Sequence, residues 1–544
     1  MDPDNSDITT KITSRSLIIG TLGLLIITAS SAYVALRMGA LPWPTVFVTV
    51  ISMAILRRFK NSTLQEINVT HTMMSAGAMV SGGLAFTLPG IWMLNPQAQV
   101  STTSLLVLTL CGAILGTLFS IIARKKYIER DRLPYPMGQA AYQTLIAGTT
   151  QGKGARWLFI SLIACAVFTV FRDGIPLIPA VLVLFAGNAL FPAISIWVSP
   201  MAAGIGAIIG PVLSLVWIGG AVLGYLLITP VGIATGLFQD MLGANLFRQN
   251  LGIGLMVGTG LGIFIKAILD RVELYRKAKK AGGTTQLPAS AFLPGKARWA
   301  FFGLVALVTM VLAIGTEITL LQAVVTVVGI YLTTQLAAML TGQTGINPME
   351  IFGILVLLAV QLIWSPSVIA SFSIAAVTAV ACGLSGDMMN DLKSGYLLGT
   401  RPSAQLLVEG IGGVIGSVVA VTVLLVLKDS FGGFGSEYLP APQAKAVTAM
   451  IGGLGHVPAF IAGAAIGIIL YLLRIPTATL GLGVYLPISI SSIMGFGALA
   501  FIAIKKVAGK PLKHVVTERT GLIASGFLGG EGITGVILAI ISMF

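Results

Sequence analysis

The sequence predicts an all-α polytopic membrane protein of about 16 transmembrane helices in two related halves, with broken and re-entrant helices. Three observations predict it. The chain has 544 residues, 56% of them hydrophobic and only 10% charged, with a mean hydropathy of +0.95. Apolar runs recur at close to the roughly 20 residues that one crossing needs. Lys and Arg gather in the short segments that border those runs, as the positive-inside rule expects of cytoplasmic loops.

Residues 1 to 15 are polar, and the run Ser16 to Leu36 is too long for a signal-peptide core, so an uncleaved first helix with a cytoplasmic N terminus is expected, with no soluble segment before it. Runs near 16–36, 41–56, 67–94, 103–123, 155–171, 175–198, 201–229 and 250–269 make the first half. Eight crossings then place Arg57 to Lys60, Arg124 to Arg132 and the polar stretch 270–298 on one side. Residues 270–298 read as a basic cytoplasmic linker between a first half, 1–269, and a second, 299–544. The second half offers runs near 299–316, 318–340, 351–364, 366–385, 405–427, 457–473, 476–504 and 520–543. Leu133 to Gly148 and Ala441 to Gly455 are too short or too polar to span and read as re-entrant or interfacial half-helices.

Fragments of the two halves match in order. Leu133-Pro134-Tyr135-Pro136 and Leu439-Pro440-Ala441-Pro442 lie 306 residues apart, Met38 to Pro44 and Gly342 to Pro348 lie 304 apart, and Pro211 with Ser214 answers Pro487 with Ser489 near 276. This favours a duplicated architecture in which substrate binds between repeats at interrupted helices. The fragments leave the orientation of the repeat open.

The net charge of +14 is spread over loops, so it reads as topology and not as a nucleic-acid surface. Cys111, Cys165 and Cys382 sit in separate apolar runs without metal-type spacing and read as small packing residues. No metal site or disulfide is expected. There is no phosphate loop, no zinc-protease His-Glu-x-x-His string and no Gly-x-Ser-x-Gly turn, so energy is expected from an ion gradient, with no cofactor and no enzyme activity.

Candidate residues follow from polarity inside apolar runs. Ala381 to Tyr396, with Asp387, Asn390, Asp391, Lys393 and Tyr396, continues an apolar helix that begins near Val368. Charges there read either as a substrate or gating group or as a solvated helix end. His71, in Asn68 to Gly77, binds a metal chelate or relays a proton, or is a histidine satisfied by a backbone carbonyl at the cytoplasmic surface. Thr341 to Glu350, with Gln343 and Asn347, is an unwound helix or an ordinary turn. Glu409 and Glu531 are protonatable carboxyls within apolar helices or neutral structural acids. Arg172 and Asp173 read as a charge pair at a span end.

Ser75-Ala76-Gly77 with Phe86-Thr87-Leu88-Pro89, Leu133-Pro134-Tyr135-Pro136-x-Gly138, Gly204 to Pro211, Asn347-Pro348, Gly386 to Tyr396, Ala441-Pro442-Gln443-Ala444 and Gly483 to Ser489 run nearly the whole chain in order. In these motifs the chain resembles the oligopeptide transporter family, which includes the yellow-stripe branch that carries metal chelates. The resemblance implies an all-helical fold of two related halves and proton-driven symport of small peptides or peptide-like metal complexes. The family motifs point to the same segments, so the candidates for substrate contact or gating are His71, Ser75, Tyr135, Gln343, Asn347, Asp387, Asn390, Asp391, Lys393, Tyr396 and Tyr485, and the carboxyls Glu409 and Glu531, with His71, are the candidates for proton coupling. Similar family members commonly carry Gln in place of His71, Glu in place of Ala78 and often Glu in place of Met137, which makes His71 a candidate substitute for a lost proton carrier.

The sequence therefore points to a secondary active transporter in the inner or plasma membrane, carrying small oligopeptides by proton symport, with a homodimer as a possible assembly. Uptake of metal-chelate or siderophore complexes is the alternative substrate reading. A passive solute channel is the rival class and a membrane-embedded enzyme a remote third.

Overall fold

The computed structural model describes residues 12–541 except 40, 42–44, 151–153, 176, 281–294, 345–346, 437, 453–455 and 509–512. Its helices in chain order are α1 (Ser14–Met38), α2 (Thr45–Leu56), α3 (Leu64–Ala85), α4 (Pro89–Leu94), α5 (Thr102–Arg124), α6 (Pro136–Thr150) and α7 (Gly154–Thr169). A two-stranded hairpin follows, β1 (Val181–Phe185) and β2 (Ile194–Trp197). The chain continues through α8 (Pro200–Ile208), α9 (Pro211–Ala221), α10 (Thr229–Ala234), α11 (Met241–Lys280), α12 (Gly295–Gly315), α13 (Leu320–Thr344) and α14 (Met349–Gln361). It ends with α15 (Val368–Leu398), α16 (Pro402–Ser430), α17 (Pro442–Gly452), α18 (Val457–Leu472), α19 (Thr477–Tyr485), α20 (Ile488–Val507) and α21 (Lys513–Ile541). Among the described residues ten helical segments are long and apolar enough to cross a membrane, as a polytopic all-α chain requires.

One expected crossing is absent. Residues 175–198 form the hairpin instead of a helix, with Val181 opposite Trp197 and Val183 opposite Ser195. Pro179 and Pro192 flank the strands and exclude a continuous helix, and the Asn188 side chain closes the turn by accepting from the Leu190 and Phe191 amides at 2.9 and 2.7 Å. The run 201–229 is likewise divided, because Gly210 takes φ +86 immediately before Pro211, and 476–504 is divided at Pro487. The first two helical turns read as half-helices from sequence, α6 and α17, are short helices, each entered by Pro and preceded by a residue at positive φ, Tyr135 at 48° and Ala441 at 38°.

The chain forms two compact units. The first comprises residues 1–170, 292–452 and 525–544, the second 171–291 and 453–524. Each unit thus draws segments from either side of the 270–298 stretch.

Within the first unit, packing repeats. The Tyr135 amide donates to the Gly342 carbonyl and the Ala441 amide to the Leu36 carbonyl, each at 2.8 Å; the second pair is the first with both members displaced by 306 positions and their order exchanged. A β-carbon added at Gly112 would lie 2.9 Å from the Val377 carbonyl oxygen, and one at Gly412 would lie 3.1 Å from that of Met73. Gly116 meets Ala381 and Gly416 meets Gly77 in the same exchanged way. Along α3 and α15 the pairs run Ser75 with Asp391, Met79 with Gly383 and Gly83 with Val380, so these two helices are antiparallel. A two-fold axis that exchanges antiparallel spanning helices lies in the membrane plane, which makes the repeat inverted.

The second unit repeats with a shift of 277. Gly206 packs on the Met494 carbonyl as Gly483 packs on that of Trp217, and Gly497 on Ala203 as Gly220 on Leu480. Glycine at these positions lets helix backbones approach to contact.

Candidate functional site

The site in the first unit is built from three helices. His71 and Ser75 stand four apart on α3, Asp387 and Asp391 four apart on α15, and Gln405 and Glu409 four apart on α16. Four residues make about one helical turn, so each pair presents to one face. His71 is seven residues from the start of α3, Glu409 seven from the start of α16 and Asp391 seven from the end of α15, so the antiparallel arrangement brings all three to the same level. At 1.5 Å per residue that level is about 10 Å inside the helix ends.

There Asp387, Asp391 and Glu409 converge, with one carboxylate oxygen from each lying within 4.8 Å of the others. All three, with His71 and Ser75, are fully buried. Ser75 Oγ donates to Asp391 Oδ2 at 2.5 Å, and His71 Nε2 lies 3.1 Å from Asp391 Oδ1 without forming a directional hydrogen bond. Among the described residues, both oxygens of Asp387 and both of Glu409 have no donor. Glu66, on the same helix as His71, is treated differently: Arg15 grips it through Nε and Nη2 at 2.5 and 2.6 Å and Thr13 donates a third bond at 2.5 Å. The fold thus satisfies one buried glutamate completely and leaves the acids of the cluster open.

The surrounding polar groups fix the helices. Gln405 Nε2 donates to Thr72 Oγ1 at 3.1 Å and to the Asp391 carbonyl at 2.7 Å. Ser394 donates to Asn68 Oδ1 at 2.8 Å. Asn347, in the break between α13 and α14, donates to the Cys382 and Gly383 carbonyls at 2.8 and 3.3 Å, which ties the break to α15 just before Asp387. Gln405, Asn68, Thr72 and Ser394 were not singled out from sequence. The spacing of Gln405 and Glu409 was a usable signal, but their partners on other helices were not visible.

The remaining expected residues distribute as follows. Asn390 is buried with an unpartnered Oδ1. Lys393 Nζ donates to the Leu133 carbonyl at 2.9 Å and stands 5.9 Å from the Tyr396 ring, so it fastens α15 to the loop before α6. Tyr135 is buried and donates its hydroxyl to the Ala338 carbonyl at 2.9 Å. Glu531 is buried in α21 and stands outside the acid cluster, and the side chain of Gln343 lies outside the described residues. Arg172 pairs with Asp173 in the second unit at 2.5 Å, as a charge pair at a helix end should. Tyr485 also belongs to the second unit, where it closes α19. Its carbonyl accepts from Arg248 Nη1 at 3.1 Å, Arg248 donates to the Val484 carbonyl as well, and the guanidinium stacks 3.9 Å from the Tyr225 ring.

Inverted repeats and interrupted helices are features that membrane transporter folds use. The profile of the OPT oligopeptide transporter protein family matches residues 11–542. This chain belongs to the OPT oligopeptide transporter family. It is also similar to a candidate oligopeptide transporter of Haemophilus influenzae, 25% identical over 591 aligned positions that cover 94% of this chain and 92% of that protein. The OPT chain is a multi-pass membrane transporter of oligopeptides.

Proposed function

We propose that this OPT transporter accumulates small oligopeptides across the plasma membrane by proton symport, with its N terminus cytoplasmic. The observation that supports coupling is the Asp387–Asp391–Glu409 cluster, whose oxygens lack donors. Charged groups inside a membrane are costly and mark ion or substrate pathways, and in this reading the cluster takes up and releases the proton during the cycle. Asp387, Asp391, Glu409 and His71 are the coupling residues in this reading. Asn347 and Asn390, with acceptor oxygens unpartnered, are the candidates for peptide contact. Lys393 and Tyr396 form the gate at the helix end.

Purified protein in liposomes, given labelled di- to hexapeptides with and without an inward proton gradient, tests the proposal. Peptide accumulation that collapses with an uncoupler is expected. Equilibration to equal concentrations regardless of the gradient identifies a channel and overturns it. Asp387→Asn is expected to abolish accumulation while the protein still elutes as a folded species, and wild-type uptake by that variant removes Asp387 from the mechanism.

A further inference from the structure

We propose that the acid cluster of the first unit is a binding site for a hard divalent metal cation that accepts several carboxylates, as calcium does, held by Asp387, Asp391 and Glu409, with His71 at its edge.

The donor inventory comes first. Among the described residues, five carboxylate oxygens are without a hydrogen-bond donor: both of Asp387, both of Glu409 and Oδ1 of Asp391. The sixth, Asp391 Oδ2, accepts from Ser75, which fixes the orientation of that carboxylate and turns Oδ1 toward His71. Calcium takes about 6 to 8 oxygen ligands, commonly from mono- and bidentate carboxylates. Two bidentate carboxylates and one monodentate carboxylate supply most of that shell.

Ligand type agrees. Calcium accepts a shell built from several carboxylates, whereas magnesium keeps several waters and is usually held through one or two carboxylates, and here three carboxylates each place an oxygen within 4.8 Å of the others.

His71 is an independent indication. It is fully buried, neither of its ring nitrogens has a hydrogen-bond partner, and Nε2 stands 3.1 Å from Asp391 Oδ1. A buried imidazole beside a carboxylate normally makes that hydrogen bond, because an unmade one costs about 1–3 kcal/mol. Here Nε2 stands against Asp391 at the edge of the cluster without a directional bond, the place of an orienting group beside a cation. Charge points to a divalent ion over a monovalent one, since three carboxylates in a medium of low dielectric hold the doubly charged cation more strongly.

The site is legible as asymmetric within the inverted repeat. The shift of 304 that relates α3 to α15 carries Asp387 onto Gly83, Asp391 onto Thr87, His71 onto Ala375 and Ser75 onto Ala379. No acid stands at the equivalent positions, so the cluster is not a by-product of the duplication.

Purified full-length protein in detergent, titrated calorimetrically with CaCl2 and MnCl2 and with MgCl2 and NaCl for comparison, tests the site without any gradient. One Ca2+ or Mn2+ per chain is expected, with weaker Mg2+ and Na+, and a loss of at least about tenfold in affinity in Asp387→Asn and in Glu409→Gln. Wild-type protein that binds neither ion, or unchanged affinity in both variants, overturns the proposal. Because either variant could fold poorly, wild-type protein is also treated with dicyclohexylcarbodiimide and mapped by mass spectrometry. Saturating Ca2+ is expected to protect Asp387 and Glu409 but not Glu129, which pairs with Arg124 in the polar segment after α5; equal labelling of Asp387 and Glu409 with and without Ca2+ overturns the site. Proton-driven peptide accumulation by protein that binds no metal would leave the transport reading standing and remove this inference alone.

Discussion

Glu66 and Glu409 are both buried glutamates on spanning helices, yet only Glu66 has partners, in Arg15 and Thr13. A buried acid without partners carries a desolvation penalty of about 1–3 kcal/mol, which an apolar residue of similar volume does not. Glu409→Met is therefore expected to raise the thermal unfolding midpoint while abolishing concentrative uptake; a lowered midpoint would show that Glu409 holds the fold together instead. Removing Arg15 has the opposite sign. Arg15→Ala leaves the Glu66 carboxylate with only the hydroxyl of Thr13, the N-cap residue of α1, and a lower midpoint with little change in transport is expected from melting curves and uptake measured on the same preparation. The individual residues of the cluster were readable in the sequence because polar groups in apolar runs are conspicuous. Their convergence was not, since His71, Asp391 and Glu409 are separated by up to 338 positions and only helix packing brings them together.

At the scale of elements, glycine decides which helices touch. A β-carbon at Gly116 or Gly416 would lie 2.6 Å from backbone atoms of Ala381 or Gly77, and backbone has little room to yield. Gly116→Ala and Gly416→Ala are each expected to destabilise by about 1–3 kcal/mol. Gly410→Ala, whose nearest neighbour is Thr117 Cγ2 at 3.7 Å, is expected to be neutral or stabilising, because alanine favours a helix over glycine by about 1 kcal/mol; a matched loss at all three positions would contradict this packing. The sequence marked these helices well, through length and hydropathy, and it marked the half-helices α6 and α17 through their entering prolines. It failed at 175–198, where an apolar run of the right length is divided by prolines into strands. Hydropathy records burial in lipid or protein, whereas backbone form there depends on where the prolines fall.

At the scale of the whole molecule, the matching fragments revealed a duplication, but its hand came only from the antiparallel pairing of α3 with α15. An inverted repeat places equivalent loops on opposite sides of the membrane. Cysteine at Arg130, in the polar segment that follows α5, and at the exposed Tyr438, before α17, should accordingly react with an impermeant maleimide from opposite faces, against a background in which Cys111, Cys165 and Cys382 are buried. Labelling of both from one face would refute the inverted arrangement. The interleaved assembly of the first unit also governs how the protein is made. Residues 525–541 of α21 pack on segments synthesised hundreds of residues earlier: Gly526 meets Ser161, Gly530 meets the Leu162 carbonyl and Gly535 meets Tyr33. Folding from the N terminus as the chain leaves the ribosome cannot finish this unit in passing. α1 and α7 must wait in the bilayer with one seam unfilled until α21 arrives, and during that interval the nascent chain depends on the insertion machinery or on lipid to cover it.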